Sequence, residues 1–361
     1  MFNPENPYYD LPKLPISQSL DSLKLYKALV GAAESLAELS ATAEHLPNQA
    51  ALFQSVILLE AKASSEIEQI ITTDEKLFGS RSLGEFPDAM TKEVHRYGQA
   101  MREGWIHKKP LCTGVIEEIC TIIKAKEMKV RKVPGTALHN STTNKIIYTP
   151  PDGEQLLRDL LGNLFTWMNK SDDNIHPIIK AAIAHYQFES IHPFTDGNGR
   201  TGRIMIVLYL VEQGLLKTPV LFLSGEILKY KNEYYSHLQQ TRETNDFIPY
   251  LYWFVRLVQI ASFQSTVRAN KVRVAMREIK HEIRKLDSSM YSQDLVNALF
   301  LGPIVFAKQL VEEKVVGSLS TAHSYLKKLE EAGLLIKSDR LYNRKVGYIN
   351  ERLLNALKTE D

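Results

Sequence analysis

His192-Pro-Phe-Thr-Asp-Gly-Asn-Gly-Arg-Thr-Gly-Arg203 is the stretch on which the reading of this chain turns. Gly197 and Gly199 leave backbone N–H groups unshielded, and such groups in succession form a nest for an anion. The strongly apolar run over 200–213 reads as a helix, and a helix N-terminus itself favours phosphate. Arg200 and Arg203 stand three apart, so both project from one side of the first turn. Two guanidinium groups there suit the outer phosphates of a triphosphate. Asp196 is a hard oxygen donor placed to hold Mg2+ between phosphates. His192, at the other end of the loop, is the general base of the segment, with a pKa suited to proton transfer. Phe194 reads as the anchor that packs the loop onto the core. A glycine loop alone would be a tight connection between helices. A His, an Asp and two Arg within the same short span point to nucleotide chemistry.

Working outward, the fold class is mainly α. Upstream, helices are expected over 155–169 and 176–188. Before them the strand, turn, strand composition of 131–149, with Ser141-Thr-Thr-Asn as the turn, predicts a hairpin. Apolar residues recur at helical spacing through 23–71 (Leu29, Leu36, Leu39, Leu52, Val56, Leu59, Ile67), again over 91–105, and over 113–123. Residues 1–20 read as an extended, Pro- and Tyr-rich arm. Downstream, helices are expected over 225–241 and 247–262. A charged connecting helix over 265–287 follows, with seven Lys or Arg against three acids. Residues 288–361 form a small module: a helix over 306–313, a second over 320–332 capped by Ser318 or Ser320, and a two-stranded wing. The expected division is 1–110, 111–264, 265–287 and 288–361.

The bulk composition excludes several classes. Of 361 residues, 44% are hydrophobic and 24% charged, ordinary globular values, and the net charge of +2 gives no whole-chain attraction for nucleic acid or a membrane surface. Cys112 and Cys120 form neither a disulfide framework nor a zinc spacing. Met1-Phe-Asn-Pro-Glu-Asn-Pro lacks the basic-then-apolar pattern of a signal peptide, and no apolar run reaches the roughly 18–20 residues of a membrane span. A cytoplasmic protein is expected.

The segment at 192–203 resembles the Fic family motif, His-x-Phe-x-Asp/Glu-Gly-Asn-Gly-Arg-x-x-Arg, at every specified position, and the resemblance extends over about 20–262. It implies a Fic helical core under a hairpin flap that transfers AMP from ATP to a Ser, Thr or Tyr hydroxyl of a target protein, or of itself. His192 would deprotonate the hydroxyl and Asp196 would hold Mg2+. The ATP site would comprise Glu68, His192, Gly197, Asn198, Gly199, Arg200, Thr201, Gly202 and Arg203, with Tyr235, in preference to Tyr234, at the adenine. The phosphate-transferring Doc-like branch typically carries Lys where this chain has Gly199. The flap would hold a target segment by strand addition.

An N-terminal inhibitory helix, about 55–71, is implied as well. Many Fic proteins carry Ser/Thr-x-x-x-Glu-Gly/Asn; here Ser64 and Glu68 match, and Gln69 stands where the pattern has Gly or Asn. Glu68 would pair with Arg203 and block the γ-phosphate site of ATP. The module at 288–361 resembles a winged helix. Its charge is balanced, ten Lys or Arg against nine acids. Protein docking or homodimerisation is therefore favoured over DNA, though His323, Lys327, Lys328, Arg340, Arg344 and Lys345 could face phosphates. Two alternative functions are removal of AMP from modified proteins and a DNA-binding regulator with a nucleotide-sensing core.

Overall fold

The computed structural model describes residues 2–46, 49–81, 84, 86–139, 143–171 and 174–358. Ser22 caps the first helix, α1 (Leu23–Glu44), accepting from the Leu25 N–H, and Leu25, Ala28, Ala32, Leu36, Leu39 and Ala43 bury one stripe of it. α2 (Gln49–Ile67), α3 (Asp74–Arg81), α4 (Ala89–His107) and α5 (Thr113–Lys124) follow. The expected helical span 23–71 is thus two helices, with residues 47–48 between them outside the described residues. Strands β1 (Leu138–His139) and β2 (Ile146–Tyr148) pair antiparallel, Leu138 opposite Tyr148, as the hairpin reading expects. Ser141 and Thr142 of its expected turn lie outside the described residues.

After α6 (Glu154–Met168) come the two helices that form the centre, α7 (Pro177–Ile191) and α8 (Asn198–Glu212). Every residue of α7 from Ile178 to Ile191 is buried, and α8 is buried from Arg200 to Leu210. Helices buried on every face, polar residues included, belong in the middle of a core. α7 and α8 pack on each other, so the loop joining them is held from both ends.

Two short helices, α9 (Leu223–Lys229) and α10 (Lys231–Thr244), lead into α11 (Ile248–Leu286), a single helix of 39 residues. Two helices with a joint near 263 are expected from the sequence; the structure has no joint. No Gly or Pro falls between Tyr250 and Leu286. The polar residues at the supposed break satisfy themselves locally: Ser262 Oγ donates to Val258 O at 2.7 Å and Thr266 Oγ1 to Ser262 O at 3.0 Å. α1 lies along the first half of α11.

The C-terminal module contains α12 (Gln293–Leu299), β3 (Ile304–Val305), α13 (Ala307–Glu312), α14 (Leu319–Glu331), β4 (Ile336–Tyr342), β5 (Lys345–Ile349) and α15 (Glu351–Leu357). Ser318, one of the two expected caps, accepts from the Thr321 N–H at 3.1 Å. The wing, β4 and β5, gains a third strand in the order β3-β5-β4. The wing is docked on α3. Arg340 Nη1 reaches Glu75 Oε2 at 2.8 Å, and the Tyr342 ring lies so close over Gly79 that a Cβ there would collide with it. Among the described residues no helix is long and apolar enough to cross a membrane.

Candidate active site

The loop between α7 and α8 is built to face its backbone outward. α7 ends where His192 enters the left-handed region, φ 50°, and Gly197, φ 87°, opens α8. Asn198 staples the turn: its Oδ1 accepts from Phe194 N and its Nδ2 donates to Phe194 O, both at 2.8 Å. Phe194 is fully buried and packs near Phe188, as the anchor reading expects. At the start of α8 the N–H groups of Asn198, Gly199 and Arg200 have no intrahelical acceptor by helix geometry. Arg131 ties the loop to the flap strand's approach, its Nε donating to His192 O at 3.0 Å and its N–H to Pro193 O at 2.8 Å. Burial pushes the His192 imidazole down to about 4, with the Arg131 charge adding. The ring is therefore neutral, the form that accepts a proton.

Arg203 is 1% exposed and turned toward α2. Its Nε donates to Ser64 Oγ at 2.8 Å, and Nη2 donates to Ser64 O at 2.8 Å and Glu68 Oε1 at 2.9 Å. Burial opposes the Arg203 charge, but Glu68, Tyr234, Glu189 and Tyr97 together hold its pKa above the usual value. Ser64, Glu68 and Arg203 thus meet as the resemblance implies. Gln69 adopts φ 63°, the left-handed conformation that Gly and Asn enter most easily. That gives a physical reason for the pattern's Gly or Asn, and Gln69 meets the same backbone demand. A Cβ at Gly199 would fall on the Glu68 carboxylate.

Arg200 does not join Arg203. Its Nη1 pairs with Glu93 Oε1 at 2.6 Å, and its Nη2 lies 3.6 Å from Asp196 Oδ1. Asp196 Oδ2 is held by Lys124 Nζ at 2.5 Å, and the same ammonium reaches Glu93 Oε1 at 2.8 Å. Among the described residues no group of three or more His, Cys, Asp or Glu could hold a metal alone. A hard cation fits Asp196 when nucleotide phosphates complete its shell.

The remaining expected residues divide. Tyr234 is buried and its hydroxyl meets His185 Nε2 at 2.9 Å, a core role, whereas Tyr235 is 38% exposed beside it. Burial and then the nearby Glu68 charge push the Tyr235 hydroxyl up. Lys231 Nζ ties α10 to the end of α2 through Ile67 O at 2.7 Å. Thr201 and Gly202 are buried on the inner side of α8; a Cβ at Gly202 would press on Glu189 Oε1. Glu93, Lys124, Arg131 and Glu189 escape the sequence reading. They lie on α4, on α5, before the flap and on α7, and no local spacing relates any of them to the loop.

In the C-terminal module three of the candidate cations sit in exposed ion pairs. Arg340 is on Glu75, Lys328 on Asp287 at 2.9 Å, and Lys327 is 3.6 Å from Glu331.

A helical core whose two central helices are joined by a glycine loop, beside a hairpin and with a carboxylate on the second arginine, defines a Fic-type fold. The solved structure of a Fic family protein from Desulfovibrio desulfuricans aligns with a TM-score of 0.59 at 18% identity, covering 92% of this chain and 97% of that one. Fic-1 from C. elegans aligns at 0.52 with 22% identity, covering 70% and 74%. At these identities the likeness concerns the fold. Three family models match in succession: Fic/DOC family N-terminal over residues 26–105, Fic/DOC family over 113–210, and the C-terminal domain of SoFic-like protein adenylyltransferases over 275–353. The chain belongs to the Fic family. Among curated relatives, protein adenylyltransferase fic-1 of Caenorhabditis elegans is 36% identical over 107 residues, 29% of this chain and 20% of the relative. Protein adenylyltransferase Fic of Nematostella vectensis is 33% identical over 114 residues, 31% and 25%. The match thus spans about a fifth to a quarter of these relatives' length.

Proposed function

We propose that this chain is a protein adenylyltransferase that moves AMP from ATP to a Ser, Thr or Tyr hydroxyl of a target protein, or of itself, and that Glu68 restrains it. The observation that carries the proposal is the placing across one loop of a neutral, half-buried His192 and a buried Arg203 already closed by a carboxylate. His192 takes the hydroxyl proton, and the oxygen attacks the α-phosphorus. The bond from that phosphorus to the bridging oxygen breaks, and pyrophosphate leaves against the N–H nest and Arg203. Positioning and charge stabilisation do most of the work in such transfers. Mg2+ at Asp196, when bound, neutralises phosphate charge. Tyr235 borders the adenine.

Gly199 favours AMP over phosphate transfer, because the phosphate-transferring Doc-like branch typically carries Lys there, and that side chain would crowd the nest. Residues 1–110 supply the restraint and 111–264 the chemistry. The C-terminal module, with its balanced charge of ten Lys or Arg against nine acids, docks a protein or a second copy more readily than DNA. Two unpaired cysteines suit a cytoplasmic location.

The test is incubation with target-containing lysate and either α- or γ-labelled ATP. Label from the α-position alone is expected, lost in His192→Ala while ATP binding by calorimetry stays within about threefold, since a base acts on the nucleophile. Incorporation from γ-labelled ATP would assign phosphate transfer instead.

A further inference from the structure

The metal donor of the loop is already engaged. Asp196 Oδ2 lies 2.5 Å from Lys124 Nζ, closer than any other ion pair of this cluster, and Oδ1 faces Arg200 Nη2 at 3.6 Å. Lys124 is the last residue of α5 and its side chain is 14% exposed, against 55% for Asp196. Its stem lies over Gly197: a Cβ there would stand 3.6 Å from Lys124 Cγ and Cδ. The ammonium is also fixed from behind by Glu93 Oε1 at 2.8 Å, a carboxylate that Arg200 shares at 2.6 Å.

We infer that Lys124 is a resident cation in the metal's place, which keeps Asp196 from taking a divalent ion before nucleotide arrives. This rests on Asp196 being the metal donor of the proposed transfer.

The charge count gives the reason. Glu93 and Asp196 against Lys124 and Arg200 make a neutral quartet. A bare divalent ion entering at Asp196 must displace the ammonium and leave two uncompensated positive charges. An ion arriving with a triphosphate brings the anion toward which Lys124 and Arg200 can turn.

The test uses the full chain without nucleotide and Mn2+ as the probe, with free Mn2+ followed by electron paramagnetic resonance. Lys124→Met should bind Mn2+ at least about tenfold more tightly than wild type, because one unit charge at about 4 Å is removed. Lys124→Arg, which keeps the charge, should stay near wild type. Adding Asp196→Ala to Lys124→Met should abolish the gain. Equal affinity of wild type and Lys124→Met overturns the inference, as does a gain that survives loss of Asp196. Unfolding of Lys124→Met is checked by circular dichroism, and the intermediate Lys124→Gln then serves for the same comparison. None of these readouts needs transfer activity. Absence of α-labelled incorporation would sink the transferase proposal separately.

Discussion

Glu68→Gly tests the inhibitory contact most directly, and the structure limits how large its effect can be. Of three bonds from Arg203, one goes to the carboxylate, at 2.9 Å; the other two, to Ser64, survive the substitution. The Glu68 side chain is 34% exposed, so water screens the pair. Its contribution is then about 1–2 kcal/mol, below that of a dry charge-assisted pair. At about 1.4 kcal/mol per factor of ten, AMP incorporation should rise roughly five- to thirtyfold. The guanidinium stays oriented by Ser64, so the rise needs no refolding of the pocket. Initial rates from α-labelled ATP at equal enzyme concentration measure it. A second reading comes from affinity: the carboxylate opposes the terminal phosphate, so the preference for ATP over ADP should increase. Equal rates with unchanged preference would refute the inhibitory role. A lower rate would place Glu68 in the chemistry itself, orienting water for AMP removal.

Gln69→Gly should act in the opposite direction, lowering basal incorporation two- to fivefold, because relieving about 1 kcal/mol at a left-handed residue favours the docked segment; the same rate assay reads it, and a rise would contradict it. Asn198→Ala leaves the Phe194 N–H and C=O without their partner, so thermal denaturation should show a loss of about 2–4 kcal/mol; a change below about 0.5 kcal/mol, the scale of an ordinary surface substitution, would mean the loop is held elsewhere. Burial pushes the Glu189 carboxyl up to about 7, above its unfolded range near ~4.3. The folded state therefore keeps a proton that the unfolded chain gives up, and this stabilisation, complete at low pH, is lost as pH rises through 7. Glu189→Gln should consequently gain about 2 kcal/mol relative to wild type between pH 5 and pH 8, measured by calorimetry; a pH-independent difference would show the carboxyl to be ionised throughout.

The loop was legible because its chemistry is contiguous: the His, the Asp, the glycines and the arginines lie within one turn and one loop. What the sequence hid was the partner of each charge. Arg200 looked like a twin of Arg203, yet Glu93 on α4 draws it to the other side of the nest. Lys124 sits at a helix end with nothing nearby to mark it. The break expected near 263 fell between a helix ending at Ser262 and a charged helix beginning at about 265; inside one long buried helix Ser262 and Thr266 simply bond back one turn. The short α12 and α15 and the two-residue β3 carry too few residues for any period to show.

That uninterrupted helix has a mechanical consequence. At 1.5 Å per residue α11 is roughly 58 Å long, and its buried face runs from Tyr250 to Ile283 without a gap at the point where a boundary was expected. Buried Arg268 donates from Nε to Leu357 O at 2.8 Å while its guanidinium lies over Phe222, so one residue of the shaft clasps both the chain's last helix and the segment entering α9. Cutting at 264 would therefore not release two finished pieces; it would bare half of a core on each. The halves should melt in one cooperative transition, and a partner that stabilises the winged end should raise the melting temperature of the nucleotide loop with it.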